Sequence, residues 1–158
     1  MAFLSSLDIA ASGLTAQKKR LDVITENIAN RETTRTDEGG PYRRKLSVFR
    51  EIDSGKAPDF SSTLRLARLT RLSTLRTDRV ADRGVMVSEV IEDPTDFIPV
   101  YDPNHPDANE EGYVMMPNVD NTVEMVDAMA ATRSYSANIA AFEAVKALAS
   151  KALELGRA

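Results

Sequence analysis

The side chains best suited to chemistry lie together in one short stretch, DPNHPDANEE, around the chain's single histidine, His105. An imidazole among carboxylates could ligate a metal ion, and a histidine beside an aspartate could serve a serine nucleophile. The spacing fits no zinc pattern, and Pro103 and Pro106 break the alternation that an EF-hand loop requires. We therefore interpret the stretch as a proline-rich exposed turn. Its acidic members are Asp102, Asp107, Glu110 and Glu111.

No further catalytic pattern supports an enzyme. The sequence has no glycine-rich phosphate loop, no nucleophile elbow and no H-E-x-x-H motif. Cysteine is absent, which removes disulfides, thiol catalysis and thiolate zinc sites. We expect no enzymatic activity, no cofactor and no metal site.

Composition and charge narrow the class of protein. The 158 residues allow one domain with appendages, and 42% hydrophobic with 28% charged residues is an ordinary soluble composition. A net charge of -4 argues against a nucleic-acid binder. The N-terminus has no basic residue ahead of its apolar part and carries Asp8 within it, so a cleaved secretory signal is not expected. No apolar run reaches the roughly 18 residues that span a bilayer.

The N-terminal segment has a seven-residue apolar repeat that predicts a long helix. Such spacing is typical of a coiled-coil seam. Gly13 lies inside the pattern and weakens the isolated helix by roughly 1 kcal/mol relative to alanine. One heptad position holds Leu7, Leu14, Leu21 and Ile28, and the other holds Phe3, Ala10 and Ile24.

The C-terminal segment also predicts a long helix. Asp120 or Asn121 could cap its start, and Asn121 with Glu124 has the spacing of a capping box. The stripe that follows is broad and rich in alanine, which lets neighbouring helices approach closely. Its larger members include Val126, Met129, Tyr135, Ile139, Phe142, Val145, Leu148 and Leu155.

The middle of the chain changes to the two-residue period of strands. Strands are predicted within 42–49, 84–92, 97–101 and 112–117, and Pro99 would place the third at a sheet edge. In the second strand, the alternation puts Val85, Val87 and Ile91 on one face and Met86 and Val90 on the other.

Residues 61–83 resist classification, and we treat them as an arm or insertion in which Arg65, Arg68 and Arg71 alternate with leucines. Without interleaved aromatic residues, nucleic-acid binding is disfavoured. Contact with acidic surfaces of partner subunits, or with the polyanionic cell wall, is one interpretation. A solvated surface insertion is the other.

Together these patterns predict an α+β fold. Residues 1–33 and 119–158 form one helical domain with coiled-coil-like packing, and residues 34–118 form a small β-rich domain. The first helix would be about 40 Å long, whereas a domain of about 85 residues has a radius of gyration near 12 Å. The helices therefore extend beyond the domain and need partners from other chains.

The stretch SSLDIAASGLTAQKKRLDVITENIAN, with GGPYRRK and the segments 101–120 and 124–157, resembles the flagellar basal-body rod and hook proteins, most closely the proximal rod members. The resemblance implies a structural subunit of the rod, the drive shaft that crosses the periplasm. It also implies passage through the flagellar type III export apparatus without a cleaved signal. Copies of the chain and neighbouring rod proteins would be its partners, with peptidoglycan as a further contact.

In that family an N-I-A-N tetrad ends the first helix, and here it is residues 27–30. We expect Asn30 at the helix end and Asn27 in contact with a neighbouring subunit. The alternative is a stand-alone helical-hairpin adaptor, a monomer whose helices are already folded together. The expected subunit interface comprises Leu7, Leu14, Leu21, Ile24, Asn27, Ile28, Asn30, Tyr135, Ile139, Phe142, Val145, Leu148 and Leu155, with Arg65, Arg68 and Arg71 as a basic contact.

Overall fold

The computed structural model describes residues 2–37, 39–52 and 84–156, and places two long helices at the ends of the chain with two small sheets between them. The arginine-rich arm predicted at 61–83 lies outside the described residues. The α+β prediction is confirmed. The helices are α1 (Ala2–Ala29) and α2 (Asn121–Leu155), and the strands are β1 (Lys45–Glu51), β2 (Val85–Glu92), β3 (Ile98–Tyr101) and β4 (Tyr113–Met116).

The two helices pack side by side and run in opposite directions. Arg20 of α1 pairs with Asp127 of α2 at 3.5 Å, while Gly13, nearer the start of α1, lies against Asn138, further along α2. A Cβ atom on Gly13 would stand 2.9 Å from the Asn138 amide nitrogen, so the glycine permits this close approach. With 28 and 35 residues, the helices are about 42 and 52 Å long, and α2 is the longer by about 10 Å.

The buried side of α1 differs from the predicted leucine seam. Leu7, Leu14, Leu21 and Ile28 are only half-buried, and among the predicted seam residues from Leu7 onward Ile24 alone is buried. The reason is that α1 packs against α2 and also against the β1–β2 sheet, so small residues that allow close approach turn inward. The buried residues of α1 are Gly13, Ala16, Val23, Ile24 and Asn27.

On α2, the less exposed positions recur every seven residues. This spacing is the one expected of a helix that follows a single neighbour along its length. The positions are Glu124, Ala131, Asn138 and Val145 in one series and Ala128, Tyr135, Phe142 and Ala149 in the other.

Strands β1 and β2 form an antiparallel pair whose register shifts at one point. Val48 pairs with Glu89 and Phe49 with Val87, which leaves Ser88 as an extra residue in β2. Beyond such a bulge the alternation of faces reverses. Val90, and not the predicted Ile91, therefore follows Val87 on the face toward α1, where it lies near Val23. The predicted division of β2 into two faces is wrong at this end of the strand.

Strands β3 and β4 form a separate two-stranded antiparallel sheet. Pro99 lies in β3, which pairs with β4 alone among the strands that the structure describes, as its predicted edge position requires. The segment that connects β3 to β4 ends at Gly112, whose φ of +83° is a conformation that favours glycine.

The cap of α2 is Asp120, one of the two predicted candidates. Its carboxylate accepts hydrogen bonds from the backbone N–H groups of Thr122 (2.7 Å) and Val123 (3.4 Å). The predicted capping box of Asn121 with Glu124 does not form. Glu124 lies in the first turn but its side chain points into the protein, where it is 1% exposed.

Candidate functional site

The most buried polar side chains of the described residues meet where α1, β1 and α2 join. Asn27 is 1% exposed and uses both ends of its amide. Its Oδ1 accepts from the Lys45 backbone N–H and from the Tyr42 hydroxyl, each at 2.9 Å. Its Nδ2 donates to the Lys45 carbonyl at 2.9 Å and to Glu124 Oε2 at 3.2 Å. The hydrogen-bonding capacity of this amide is thus filled within the chain.

This placement corrects one expectation. Asn27 was expected to contact a neighbouring subunit, but its side chain has almost no surface left to offer one. Asn30 lies at the helix end as expected, and its Nδ2 donates to the Glu26 carbonyl at 2.9 Å. The two asparagines of the tetrad therefore have different local tasks: Asn27 joins three elements, and Asn30 ends α1.

The buried carboxylate of Glu124 is paired with the Arg44 guanidinium. Arg44 Nε lies 2.6 Å from Glu124 Oε1, and the Arg44 side chain is 20% exposed. A buried charge is tolerated when it is paired and its remaining oxygen is hydrogen-bonded. Asn27 supplies that second bond, so Arg44, just before β1, and Asn27 of α1 together hold the carboxylate.

Arg44 extends the network toward both helices. Its terminal nitrogens lie 3.6 Å from Asp93 and 3.7 Å from Asp127, and Asp127 also pairs with Arg20 of α1. These outer pairs are longer and more exposed than the pair with Glu124, so they contribute less. They nevertheless link the start of α2 to α1.

Tyr42 closes the network on the side of β1. The ring is 7% exposed, and its hydroxyl donates to Asn27. Burial, together with the nearby carboxylates of Glu26, Glu124 and Glu92, raises the pKa of the Tyr42 hydroxyl to about 12. The phenol therefore remains a hydrogen-bond donor throughout the neutral range.

A second set of polar contacts, made by Arg43, holds the segment that follows β2. The Arg43 guanidinium donates to the carbonyls of Asp93 and Thr95 at 3.0 and 2.9 Å, and lies 4.4 Å from the centre of the Phe97 ring. Hydrogen bonds from Thr95, with the charge of Arg44, lower the pKa of the Asp93 carboxyl. The consecutive arginines of YRRK thus differ in their shortest contacts: Arg44 pairs with the Glu124 carboxylate, and Arg43 donates to backbone carbonyls after β2.

The expected interface residues of α2 divide into two groups. Tyr135, Phe142 and Val145 are half-buried in the series that follows α1. Ile139, Leu148 and Leu155 are 37%, 62% and 79% exposed. Other exposed apolar side chains of α2 are Val123, Met125, Val126, Met129 and Leu153. A long helix with this much apolar surface has room for further packing partners.

Comparisons with known proteins match both helical ends and the chain as a whole. A family described as "Flagella basal body rod protein" matches residues 7–35, and one described as "Flagellar basal body rod FlgEFG protein C-terminal" matches residues 110–155. The flagellar basal-body rod protein FlgC of Bacillus subtilis (strain 168) is 45% identical over 161 residues, covering 99% of this chain and all of the relative. The chain belongs to the flagellar basal-body rod protein family.

Two further rod proteins have the same extent of similarity. FlgC of Salmonella typhimurium is 40% identical over 157 residues, covering 99% of this chain and 100% of the relative. FlgC of Borreliella burgdorferi is 36% identical and covers 98% of each chain. The resemblance read from the sequence is confirmed, and this rod protein is a structural component of the flagellar basal body and not an enzyme.

The histidine region of this rod protein forms a turn. His105 Nδ1 accepts from the Asp107 backbone N–H at 3.1 Å, which occupies that nitrogen's lone pair. Within residues 2–37, 39–52 and 84–156, no group of three or more histidine or acidic side chains is placed to hold a metal ion. Neither α1 nor α2 carries a stretch apolar enough to cross a membrane.

The sequence patterns of this rod protein do not reveal the residues that complete the junction around Asn27. Tyr42 and Arg44 enter the sequence patterns only as part of GGPYRRK, and Glu124 only as a capping residue, whereas Tyr42 and Glu124 bond to Asn27 and Arg44 bonds to Glu124. One signal was available for Glu124: it begins the seven-residue series of α2 that otherwise faces α1. A carboxylate on that stripe requires a cation from elsewhere in the chain.

Proposed function

We propose that this rod protein is exported by the flagellar type III system and polymerises through its terminal helices into the drive shaft that crosses the periplasm and transmits torque. Residues 1–33 and 119–158 act as one helical unit at the centre of the rod, packed in coiled-coil-like fashion with other subunits. Residues 34–118 lie outside it. Partners are further copies, neighbouring rod proteins, the export apparatus and peptidoglycan.

The observation that carries this proposal is the apolar surface left on α2 after it has packed against α1. Leu148, Leu153 and Leu155 are 62%, 72% and 79% exposed, near the end of the longer helix. Burying one such side chain contributes about 1.5–3 kcal/mol, so several in register across a subunit contact outweigh the loss of rotamer freedom. Surfaces that do not close on themselves build a helical polymer.

The half-buried leucine stripe of α1 supports the same interpretation. Leu7, Leu14 and Leu21 lie beside the contact with α2 and keep part of their surface exposed. They can pack against a second chain without separating the helix pair. In this proposal the predicted seam residues of α1 lie beside the α1–α2 contact and face a neighbouring subunit.

The buried junction holds one end of the helix pair together. Asn27 and Glu124 hold the end of α1 to the start of α2, whereas the opposite end of α2 carries the exposed leucines. A subunit leaving the export channel can then form the junction first and complete the outer parts of its helices against the growing rod. Torque passes through packed side chains and no bond is made or broken.

The test introduces a charge on the exposed side of α2. Leu148→Asp places a carboxylate at a position that needs no burial within the chain, so the subunit should fold and be exported, but rods should not be completed and swimming should be lost. Met86→Asp is the matched control, because Met86 is 44% exposed in β2, away from the outer part of the helix pair.

Electron microscopy of basal bodies and swimming in soft agar provide the two readouts. Normal rods with Leu148→Asp would contradict the proposal. Circular dichroism of both purified variants checks that any loss of rods does not come from misfolding.

A further inference from the structure

The outer face of the β3–β4 sheet is an exposed patch of aromatic and apolar side chains outside the helical interface. Pro99 pairs with Met115 across the strands, and Tyr101 pairs with Tyr113. Tyr101, Tyr113 and Met115 are 65%, 41% and 47% exposed. On the opposite face Val114 is 2% exposed, whereas its cross-strand partner Val100 is 43% exposed. We call the four residues Pro99, Tyr101, Tyr113 and Met115 the tyrosine face.

The two tyrosines are held in fixed positions. Their ring centroids are 5.3 Å apart with planes at 66°, an edge-to-face contact. Gly112 leaves space for the Tyr101 ring, because a Cβ atom there would stand 3.0 Å from Cε2 of that ring. Rigid aromatic side chains lose little conformational entropy when they bind, and tyrosine and methionine are enriched in protein interfaces.

Carboxylates flank the tyrosine face in the sequence at both ends of the sheet. Asp96 precedes β3, Asp102 follows it, and Glu110 and Glu111 precede β4; all four are exposed. No lysine or arginine occurs between Arg83 and Arg133. The partner that fits such a face combines cationic groups with apolar side chains, and arginine suits it best because it both pairs with carboxylates and stacks on tyrosine.

The same chain contains a segment of this composition. Residues 61–83 read SSTLRLARLTRLSTLRTDRVADR, in which leucines and arginines alternate and only two acidic residues, Asp78 and Asp82, occur. The face and the segment carry opposite charges and share an apolar component. The arginines of the segment are Arg65, Arg68, Arg71, Arg76, Arg79 and Arg83.

We propose that the tyrosine face binds the arginine- and leucine-rich segment 61–83 of a neighbouring copy of this chain. Arginines pair with the flanking carboxylates and stack on the tyrosine rings, while leucines cover Met115 and Pro99. The inference rests on the proposed function, because assembly into a rod brings copies side by side.

The experiment uses single-cysteine variants, for which a chain without native cysteine is well suited. Leu69→Cys and Met115→Cys are expressed together in the bacterium, one of them with a tag that changes its mass, and basal bodies are isolated and oxidised. A disulfide between copies then gives a heterodimer of intermediate mass. Val100→Cys replaces Met115→Cys in the control, because Val100 is 43% exposed on the opposite face of the same sheet.

We expect the pair with Met115→Cys to give severalfold more heterodimer than the control. Adding Arg68→Glu with Arg71→Glu should abolish this excess, and Glu110→Arg with Glu111→Arg in the partner copy should restore it. Restoration by reversed charges cannot come from a change in folding alone.

Two results would overturn the inference and leave the proposed function standing. One is complete rods in which the Met115→Cys and Val100→Cys pairs give equal yields. The other is loss of swimming with the arginine reversals while the heterodimer yield is unchanged, because the arginines would then serve another surface, such as the cell wall. A chain that is absent from basal bodies altogether would instead contradict the proposed function.

Discussion

Asn27 forms hydrogen bonds with both the backbone N–H and the backbone C=O of Lys45, each at 2.9 Å. A side chain of α1 thus occupies the position that another strand would take beside the first residue of β1. The end of α1 and the start of β1 are thereby joined without a third strand. Glu124, bonded to the same amide, adds the start of α2 to this junction.

Asn27→Asp should destabilise the protein strongly. The aspartate keeps the acceptor oxygen, but it loses the donor to Lys45 and places a second carboxylate beside Glu124. Since each buried polar group left unpaired costs about 1–3 kcal/mol, we expect the free energy of unfolding to fall by at least about 2 kcal/mol in urea titrations. Asn30→Asp is the control, and it should lower the free energy of unfolding by less than about 1 kcal/mol. Equal losses of unfolding free energy in the two variants would contradict the role of Asn27 in the junction.

The pair of Arg44 with Glu124 should show strong coupling. Arg44→Met alone leaves a buried charge and should cost about 3–5 kcal/mol. Glu124→Leu in addition removes that charge, and the double variant should recover much of the loss. A double-mutant cycle from urea unfolding measures the coupling. Additive effects of the two substitutions would contradict a buried ion pair.

Stability should decrease at alkaline pH because of Tyr42. In the unfolded chain a tyrosine loses its proton near pH 10.0, whereas in the folded protein the raised pKa delays this to about 12. Between these values the unfolded state binds fewer protons, so the free energy of unfolding falls as pH rises. Tyr42→Phe should reduce this slope between about pH 10 and 12. An unchanged slope would refute the assignment.

Gly13→Ala should fail to stabilise the protein in the presence of Asn138. In an exposed helix the change normally gains about 1 kcal/mol, but here the new Cβ would stand 2.9 Å from the Asn138 amide nitrogen. With Asn138 replaced by alanine, the same substitution should give its ordinary gain. Thermal unfolding of the four proteins measures both effects, and a full gain beside Asn138 would argue against the close helix contact.

Much of the secondary structure was predictable because local patterns determine it. Both long helices and all four strands lie where the apolar period placed them, and Asp120 caps α2 as one of two candidates. The assignment of β2 residues to the two faces was wrong at one end, because the extra residue at Ser88 is visible only when the partner strand is known. Periodicity within one strand carries no information about register with another.

The buried junction was not predictable from local signals. Glu124 looked like a capping residue because its spacing from Asn121 fits that pattern, and only the position of Arg44 reveals its actual partner. Asn27 was expected to contact a neighbouring subunit, since Asn30 was assigned to the helix end. Its four hydrogen bonds go to three residues, Tyr42, Lys45 and Glu124, and sequence spacing alone does not bring these together.

The most direct test of assembly through the outer side of α2 is the accessibility of Leu148→Cys to a maleimide reagent. The chain has no other cysteine, so labelling reports one position, and Met86→Cys serves as the exposed control. We predict rapid labelling in the free subunit and strong protection in isolated basal bodies, with the control labelled in both. Equal labelling of Leu148→Cys before and after assembly would contradict the proposed interface.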